Sequence, residues 1–152
     1  MDPINVLVVE DGQEYIQTFL RFGGEELHFE RAGCGAEALA RLAQAHWHVV
    51  FLDMRFDRVA PNQLLGDLPA TAERFNGDPN RARQFLEEHQ GTYILAAIRG
   101  AGFSLPAIFS HDFDPEPRRW ANLERQYSPV HYLPDNASAS SLRELIRRVA
   151  TP

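Results

Sequence analysis

The chain is expected to fold as one α/β domain, 1–152, in which helices cover both faces of a parallel β-sheet. Three observations predict this class. Five short apolar runs are suited to buried strands, and amphipathic segments separate them, so that strands and helices alternate along the chain. The 152 residues are 44% hydrophobic and 24% charged, which is typical of one globular domain with a core of its own.

The first half of the chain contains three predicted strands and two predicted helices. The strand runs are short and continuously apolar, as strands buried on both faces are. The helical segments place apolar residues at helical spacing, and Gly23-Gly24 ends the first of them. In chain order we expect a strand at 4–9, a helix at 12–22, a strand at 27–31, a helix at 35–45 and a strand at 48–52.

The segment at about 56–90 interrupts this alternation and is predicted to be an insertion after the third strand. Residues 58–76 are expected to be mostly loop, with a turn of helix near 70–75, and Asp78-Pro79 is expected to cap a helix at 80–90. Beyond it the pattern predicts a helix at 92–101, a strand at 105–110 and a strand at 130–133. Asp114-Pro115 is expected to cap the helix between these strands. Ser141 and Glu144 have capping-box spacing and are expected either to open the last helix or to lie in it.

Composition and charge exclude several classes of function. The net charge of −6 gives no indication of nucleic-acid binding or of an anionic membrane partner. No apolar run is long enough to cross a bilayer, Met1-Asp2-Pro3 does not resemble a signal peptide, and the single Cys34 excludes an internal disulfide. We therefore expect a cytoplasmic protein. The chain contains no lysine, which excludes any mechanism that needs a lysine amine.

Acidic residues follow two of the predicted strands. Glu10 and Asp11 follow the first strand, and Asp53 follows the third. In an open parallel sheet, ligands bind beyond the carboxyl ends of the strands. Carboxylates gathered there would form a site suited to Mg²⁺, and one of them could accept a phosphoryl group. The alternative is that the acidic pair lies in an ordinary loop and that Asp53 caps a helix.

Five motifs in order resemble the receiver domain of response regulators, the phospho-accepting module of two-component signalling. They are 6–11 (VLVVED), 35–39 (GAEAL), 49–53 (VVFLD), 105–110 (LPAIFS) and 132–133 (YL). The resemblance covers the chain except for about 56–90. It implies a flavodoxin-like, doubly wound sheet of five parallel strands in the order 2-1-3-4-5.

The resemblance also implies roles for individual residues. Asp53 would take a phosphoryl group from a histidine kinase or a phosphotransfer protein, Ser110 would donate a hydrogen bond to a phosphoryl oxygen, and Tyr132 would change rotamer with it. For Ser110 the alternative is a turn or helix-cap serine, and for Tyr132 a core tyrosine. The ligands of Mg²⁺ would be Glu10, directly or through water, Asp11, Asp53 and the backbone carbonyl of Arg55.

Two features depart from the family pattern. The family places a lysine where this chain has Asp135, and the insertion adds about thirty residues next to Asp53. Long loops of this kind are often lids or binding surfaces. We hypothesise that an arginine of this region supplies the missing positive charge, since arginine suits phosphate. The alternative is that these arginines are solvated surface residues. The candidates are Arg55, Arg58, Arg74, Arg81 and Arg83.

The sequence therefore predicts a stand-alone receiver, not an enzyme, which signals through contact with a downstream protein partner and could form a homodimer. The alternative is a pseudo-receiver, a phosphorylation-independent module for protein interaction, which the loss of the lysine favours. A phosphatase-like hydrolase is disfavoured because that chemistry usually needs a second aspartate two residues after the first, where this chain has Arg55.

Overall fold

The β-sheet is parallel throughout and forms the centre of the molecule. A computed structural model describes residues 2–134 and 136–151. The strand order is β2-β1-β3-β4-β5, which confirms the predicted order 2-1-3-4-5. The strands are β1 (Ile4–Val9), β2 (Leu27–Ala32), β3 (Val49–Asp53), β4 (Ala107–Ser110) and β5 (Val130–Leu133).

Helices cover both faces of the sheet, as the sequence predicts. They are α1 (Glu14–Phe22), α2 (Gly35–Gln44), α3 (Leu68–Glu73), α4 (Pro79–Glu88), α5 (Gln90–Gly100), α6 (Pro117–Tyr127) and α7 (Ala139–Ala150). One apolar cluster joins α1 and α7 to one face, and a second cluster joins α2, α5 and α6 to the other. Within the described ranges, no helix combines the length and the apolar character that crossing a bilayer requires.

Aromatic packing fixes α1 against the central strands. The ring of Phe19 stacks on Phe29 at a centroid distance of 4.8 Å and meets the edge of Phe51 at 5.1 Å. Phe51 is fully buried in β3, and burying such a side chain stabilises a protein by about 1.5–3 kcal/mol. The strand that ends in Asp53 is therefore held from its α1 face by interlocked rings.

The insertion contains more helix than the sequence predicts. The predicted cap is confirmed, since Asp78 accepts hydrogen bonds from the backbone N–H groups of Asn80 and Arg81 at the start of α4. The expectation that 58–76 is mostly loop is only partly right. Pro61–Gln63 forms a 3-10 turn, and α3 begins at Leu68 with Asp67 as its cap.

A buried glutamine ties the insertion to the rest of the domain. Gln90 is 1% exposed, and its side-chain oxygen accepts a hydrogen bond from the N–H of Leu65 at 2.7 Å. Its side-chain nitrogen donates to the carbonyls of Leu65 and Leu86, both at 3.1 Å. The side chain of Leu65 then lies close to Gly35 at the start of α2. The insertion is thereby fixed at the junction of α4 and α5.

One predicted helix start is wrong in detail. Asp114 does not cap α6, which begins at Pro117, and the carboxylate of Asp114 instead accepts a hydrogen bond from the hydroxyl of Tyr132. Of the two alternatives for Ser141, the structure confirms that it lies in the last helix: it is in the first turn, and the cap is Ser138, whose hydroxyl accepts from the N–H of Ser141 at 3.1 Å. The error at α6 is a shift of two residues in the capping position, from Asp114 to Glu116, and leaves the architecture unchanged.

Candidate functional site

The carboxyl ends of β1, β3 and β4 meet at one edge of the sheet. Val9 lies opposite Leu52 in the sheet register, and Asp53 lies opposite Ser110. A depression of about 590 Å³ opens at this edge, and we call it the acidic depression. The charged residues that line it are Asp11, Glu14, Asp53, Arg55, Asp57 and Arg58. The structure therefore brings two of the predicted acids, Asp11 and Asp53, to one site.

Asp53 is a half-buried carboxyl group in an unfavourable environment for negative charge. Burial raises the pKa of Asp53 from its ordinary value of 3.8 to about 7. The N–H of Met54, which donates to its Oδ1 at 2.9 Å, lowers the pKa, and the negative charges of Asp11, Glu10 and Glu14 raise it. A cation at this edge would relieve the repulsion and favour the ionised form of Asp53.

Glu10 lies beside this edge but points into the protein. It is 1% exposed, and its two carboxylate oxygens accept hydrogen bonds from the N–H groups of Tyr15 at 3.1 Å and Ile16 at 2.7 Å. Burial raises the pKa of Glu10, and these two N–H groups lower it. Direct metal ligation would compete with both amides. The carboxylate of Glu10 instead accepts hydrogen bonds in the first turn of α1, where backbone N–H groups need acceptors from outside the helix.

Two arginines contact Asp11 and the residue after it, Arg31 through backbone carbonyls and Arg58 through the carboxylate of Asp11. Arg31 donates from Nε to the carbonyl of Gly12 at 2.5 Å and from Nη2 to the carbonyl of Asp11 at 2.9 Å. The N–H of Arg58 donates to Oδ2 of Asp11 at 2.6 Å, across the mouth of the acidic depression. The loop after β3 therefore contacts the loop after β1 directly, and one oxygen of Asp11 is already engaged.

The donor set fits a hard cation that keeps most of its own waters. Among the described residues, no three Asp, Glu, His or Cys side chains are grouped closely enough to hold a metal by themselves. Asp11 and Asp53 each have one carboxylate oxygen engaged by a backbone N–H, which leaves one oxygen apiece. Mg²⁺ is usually bound by one or two carboxylates with waters completing the octahedron, so two carboxylates suit it.

Ser110 has a partner that the sequence analysis missed. Its hydroxyl, 6% exposed, is hydrogen-bonded to the phenol of Tyr15 in α1. The ring of Tyr15 also packs on Phe51 at 5.0 Å, and Tyr15 lines the acidic depression. If Ser110 is the donor in this hydrogen bond, a phosphoryl oxygen would compete with the phenol for the serine proton; if Tyr15 is the donor, that proton remains available.

Tyr132 lies on the α6 side of the sheet. Its ring packs edge-on against Trp120 at 4.6 Å and Phe113 at 5.3 Å, and its hydroxyl donates to Asp114. This hydrogen bond raises the pKa of Tyr132 to about 12. The ring of Tyr132 therefore packs as a core tyrosine would, while its hydroxyl bonds Asp114. A change of its rotamer on phosphorylation stays a prediction.

The five candidate arginines fall into two groups. Arg55 and Arg58 line the acidic depression. The other three contact side chains of the insertion itself: Arg74 lies over the ring of Phe85, Arg81 lies over the ring of Phe75, and Arg83 is paired with Glu87. Of the five arginines that could supply the missing positive charge, only Arg55 and Arg58 therefore lie at the depression. Asp135, at the position of the family lysine, lies outside the described residues.

A glycine allows α5 to approach the backbone of the site. A Cβ atom on Gly91 would lie 2.4 Å from the carbonyl oxygen of Asp53 and 3.0 Å from the Cα of Met54. The N–H of Gly91 donates to the carbonyl of Met54 at 3.0 Å. No side chain larger than hydrogen fits here without movement of the backbone, so Gly91 sets the distance between α5 and the end of β3.

Comparison with solved structures gives similar folds over almost the whole chain. The receiver domain of Francisella response regulator 1452 has a TM-score of 0.65 at 16% identity, covering 97% of this chain and 96% of its own. The receiver domain of NtrX from Brucella abortus has a TM-score of 0.63 at 16% identity, covering 95% and 97%. A CheY-like receiver domain protein from Methanospirillum hungatei has a TM-score of 0.62 at 12% identity, covering 98% and 94%.

Sequence comparisons add nothing to this result. No protein-family profile matches the chain, and no curated protein matches it. At 12–16% identity the structural similarity establishes the fold and not the activity. The chain therefore has the flavodoxin-like fold of response regulator receiver domains.

Proposed function

We propose that this chain is a response regulator receiver domain of two-component signalling and that Asp53 accepts the phosphoryl group. The observation that supports this most directly is the position of Asp53 in a receiver-like sheet. It ends β3, lies opposite Ser110 and lines one depression with Asp11. A half-buried carboxylate that opens to a solvent-filled depression can be reached by a small phosphodonor or by a phosphohistidine side chain.

Each residue of the site has a separate role in the proposed phosphoryl transfer. In this proposal Asp11, Asp53 and the backbone carbonyl of Arg55 hold Mg²⁺, which when bound offsets negative charge on the transferring group. Ser110 donates its hydroxyl to a phosphoryl oxygen after parting from Tyr15. Glu10 keeps the start of α1, and hence the loop that carries Asp11, in place. Binding of Mg²⁺ by Glu10 through a bridging water stays a prediction.

The partners follow from the chemistry of the proposal. The phosphodonor would be a histidine kinase or a phosphotransfer protein, and the output would be contact with a downstream protein or with a second copy of this chain, in the cytoplasm. One similar solved structure is described as the signal receiver domain of a histidine kinase from Syntrophus aciditrophicus, at 14% identity and a TM-score of 0.60. That similarity supports the class of partner and names none.

The second candidate is a pseudo-receiver that binds partners without being phosphorylated. Two observations favour it. The chain has no lysine to pair with a phosphoryl group, and the hydroxyl of Ser110 is already engaged by Tyr15. The two candidates differ in one measurable respect, which is covalent labelling of Asp53.

Incubation with acetyl phosphate and Mg²⁺, followed by intact-mass measurement, separates the two candidates. We expect a mass increase of one phosphoryl group in the wild type and none in Asp53→Asn. Asp57→Asn is the matched control, because Asp57 lines the same depression and is paired with Arg55, and this variant should still be labelled. An unlabelled wild type would refute phosphorylation and leave the pseudo-receiver as the function.

A further inference from the structure

The acidic depression has an excess of negative charge before any ligand enters it. Asp11, Glu14, Asp53 and Asp57 line it, against two arginines. Phosphorylation would replace the single negative charge of the Asp53 carboxylate with about two on the phosphoryl group, a net gain of about one negative charge at neutral pH. The two arginines and one divalent cation would balance the four acids but not this added charge, so a guanidinium within reach of the phosphoryl oxygens would stabilise the phosphorylated form.

Arg55 and Arg58 are the two cationic side chains among the described residues that line the depression. Arg55 pairs through Nε with Asp57 at 3.1 Å, within its own loop. Arg58 pairs through Nη2 with Glu14 at 2.8 Å, on the opposite side of the depression. Its backbone N–H is also bound to Asp11, so the base of the side chain is fixed at the acid beside Asp53.

From these contacts we propose that Arg58 is the phosphoryl-binding cation of the site and that it leaves Glu14 when Asp53 is phosphorylated. This inference rests on the proposed function. In the unphosphorylated protein, the exposed carboxylate of Glu14 binds the guanidinium of Arg58 beside the depression. After phosphorylation, the phosphoryl group, which carries more negative charge, replaces Glu14 as its partner. A guanidinium group binds phosphoryl oxygens through two parallel hydrogen bonds, which is stronger than its pairing with one solvated carboxylate.

The surroundings of Arg58 allow this movement. Its side chain is 60% exposed and that of Glu14 is 64% exposed, so no packed core must open. Both charged groups lie over Gly12, where a Cβ atom would be 2.3 Å from Nη1 of Arg58 and 2.1 Å from Oε2 of Glu14. The bare backbone at Gly12 leaves the space that the guanidinium and the carboxylate occupy, at the edge of the depression that Asp53 also lines.

The chemical step needs no proton or electron from Arg58. A bond forms between a carboxylate oxygen of Asp53 and phosphorus, and the bond from phosphorus to the acetate oxygen of acetyl phosphate breaks, with acetate leaving with the electron pair. Arg58 acts by stabilising the negative charge on the phosphoryl oxygens. Glu14 competes for the same guanidinium, so Glu14→Gln should increase the rate of labelling.

The test compares labelling rates by acetyl phosphate with Mg²⁺ affinities measured by calorimetry. We expect Arg58→Ala to label at least about tenfold more slowly than the wild type, because one charge-stabilising donor is lost. Arg58→Lys should recover part of the rate. Arg83→Ala is the matched control and should remain within about twofold of the wild type, since it removes an exposed arginine that is paired with Glu87 away from the depression.

The Mg²⁺ affinity distinguishes a phosphoryl-binding role from a structural one. If Arg58 binds the phosphoryl group, Arg58→Ala should bind Mg²⁺ as tightly as the wild type or more tightly, because a positive charge has been removed. Weaker Mg²⁺ binding together with slower labelling would mean that the loop is displaced, and would overturn the inference. If the wild type and Arg58→Ala label at the same rate, the inference about Arg58 is wrong but the proposed function stands. If the wild type is not labelled, both the inference and the proposed function are wrong.

Discussion

Replacing Asp53 with asparagine should stabilise the metal-free protein, and the gain should grow with pH. Burial holds the pKa of Asp53 at about 7 instead of its ordinary 3.8. Asparagine has nearly the same shape, cannot ionise, and keeps an oxygen that can accept the N–H of Met54. The substitution therefore removes the unfavourable charge and retains the hydrogen bond.

The sign of the pH dependence follows from proton linkage. Below about pH 4, Asp53 is protonated in both the folded and the unfolded chain, so its ionisation does not change the free energy of unfolding. Between about pH 4 and pH 7 the unfolded chain releases this proton while the folded chain keeps it, so the free energy of unfolding falls as the pH rises. Above pH 7 the loss is complete. Asp53→Asn lacks this loss, so its advantage over the wild type should increase through the same window.

The size of the effect comes from the same pKa. Each pKa unit corresponds to about 1.36 kcal/mol, so ionisation of Asp53 above pH 7 would cost the folded protein up to about 4 kcal/mol if nothing relaxed. The side chain is not fully buried, and water and side-chain movement reduce this cost. We expect Asp53→Asn to be more stable than the wild type by about 1–2 kcal/mol at pH 8, and by almost nothing at pH 4.

Urea unfolding in EDTA, followed by tryptophan fluorescence across this pH range, measures the difference. Trp47 is 7% exposed and reports on loss of the core. Asp57→Asn is the control, since it removes a charge from the same loop at a more exposed position and should show no gain that grows with pH. Excess Mg²⁺ at pH 8 should raise the stability of the wild type more than that of Asp53→Asn. Parallel stability curves for the wild type and Asp53→Asn, or a less stable Asp53→Asn at pH 8, would refute the reasoning.

Two further substitutions test the geometry of the site. Gly91→Ala should destabilise the protein by about 1–3 kcal/mol in urea unfolding, because the new methyl group meets the carbonyl of Asp53, whereas Gly100→Ala in the same helix, with open space around it, should be neutral or stabilising. An unchanged unfolding midpoint for Gly91→Ala would contradict the close approach of α5. Tyr15→Phe should label faster with acetyl phosphate, because the hydroxyl of Ser110 is released, at a cost of about 0.5–1.5 kcal/mol in stability. The control is Tyr132→Phe, which removes a hydroxyl that bonds Asp114 and not Ser110, and it should label at the rate of the wild type. Equal labelling rates for Tyr15→Phe and Tyr132→Phe would mean that the phenol of Tyr15 does not restrain Ser110.

The sheet could be predicted from the sequence because its strands are continuous apolar runs. β1 and β5 have the predicted bounds, and β3 differs by one residue at each end. Burial on both faces selects such runs strongly, so a single sequence is enough to find them. Helix starts were less accurate, because a capping residue can be displaced by a distant partner, as Tyr132 displaces Asp114 from α6.

The site could be predicted only as far as its strand ends. The positions of Asp11 and Asp53 follow from the rule that ligand sites lie beyond the carboxyl ends of strands. The partners of Ser110 and Glu10 could not be predicted, because the phenol of Tyr15 and the N–H of Ile16 come from a helix whose rotation about its axis depends on core packing. Gly91 carried no such signal, because it falls between the predicted helices 80–90 and 92–101, where a glycine is ordinary.

The peptide groups just after Asp53 are bonded to both ends of the junction between α4 and α5. The N–H of Phe56 donates to the carbonyl of Glu87 at 2.8 Å, and the carbonyl of Met54 accepts the N–H of Gly91. A protein bound to the outer surface of α4 would thus act on a helix that is hydrogen-bonded three residues from Asp53, the proposed phospho-acceptor. Changes in α4 could therefore alter the position of Asp53 without altering any of the groups proposed to bind the phosphoryl group.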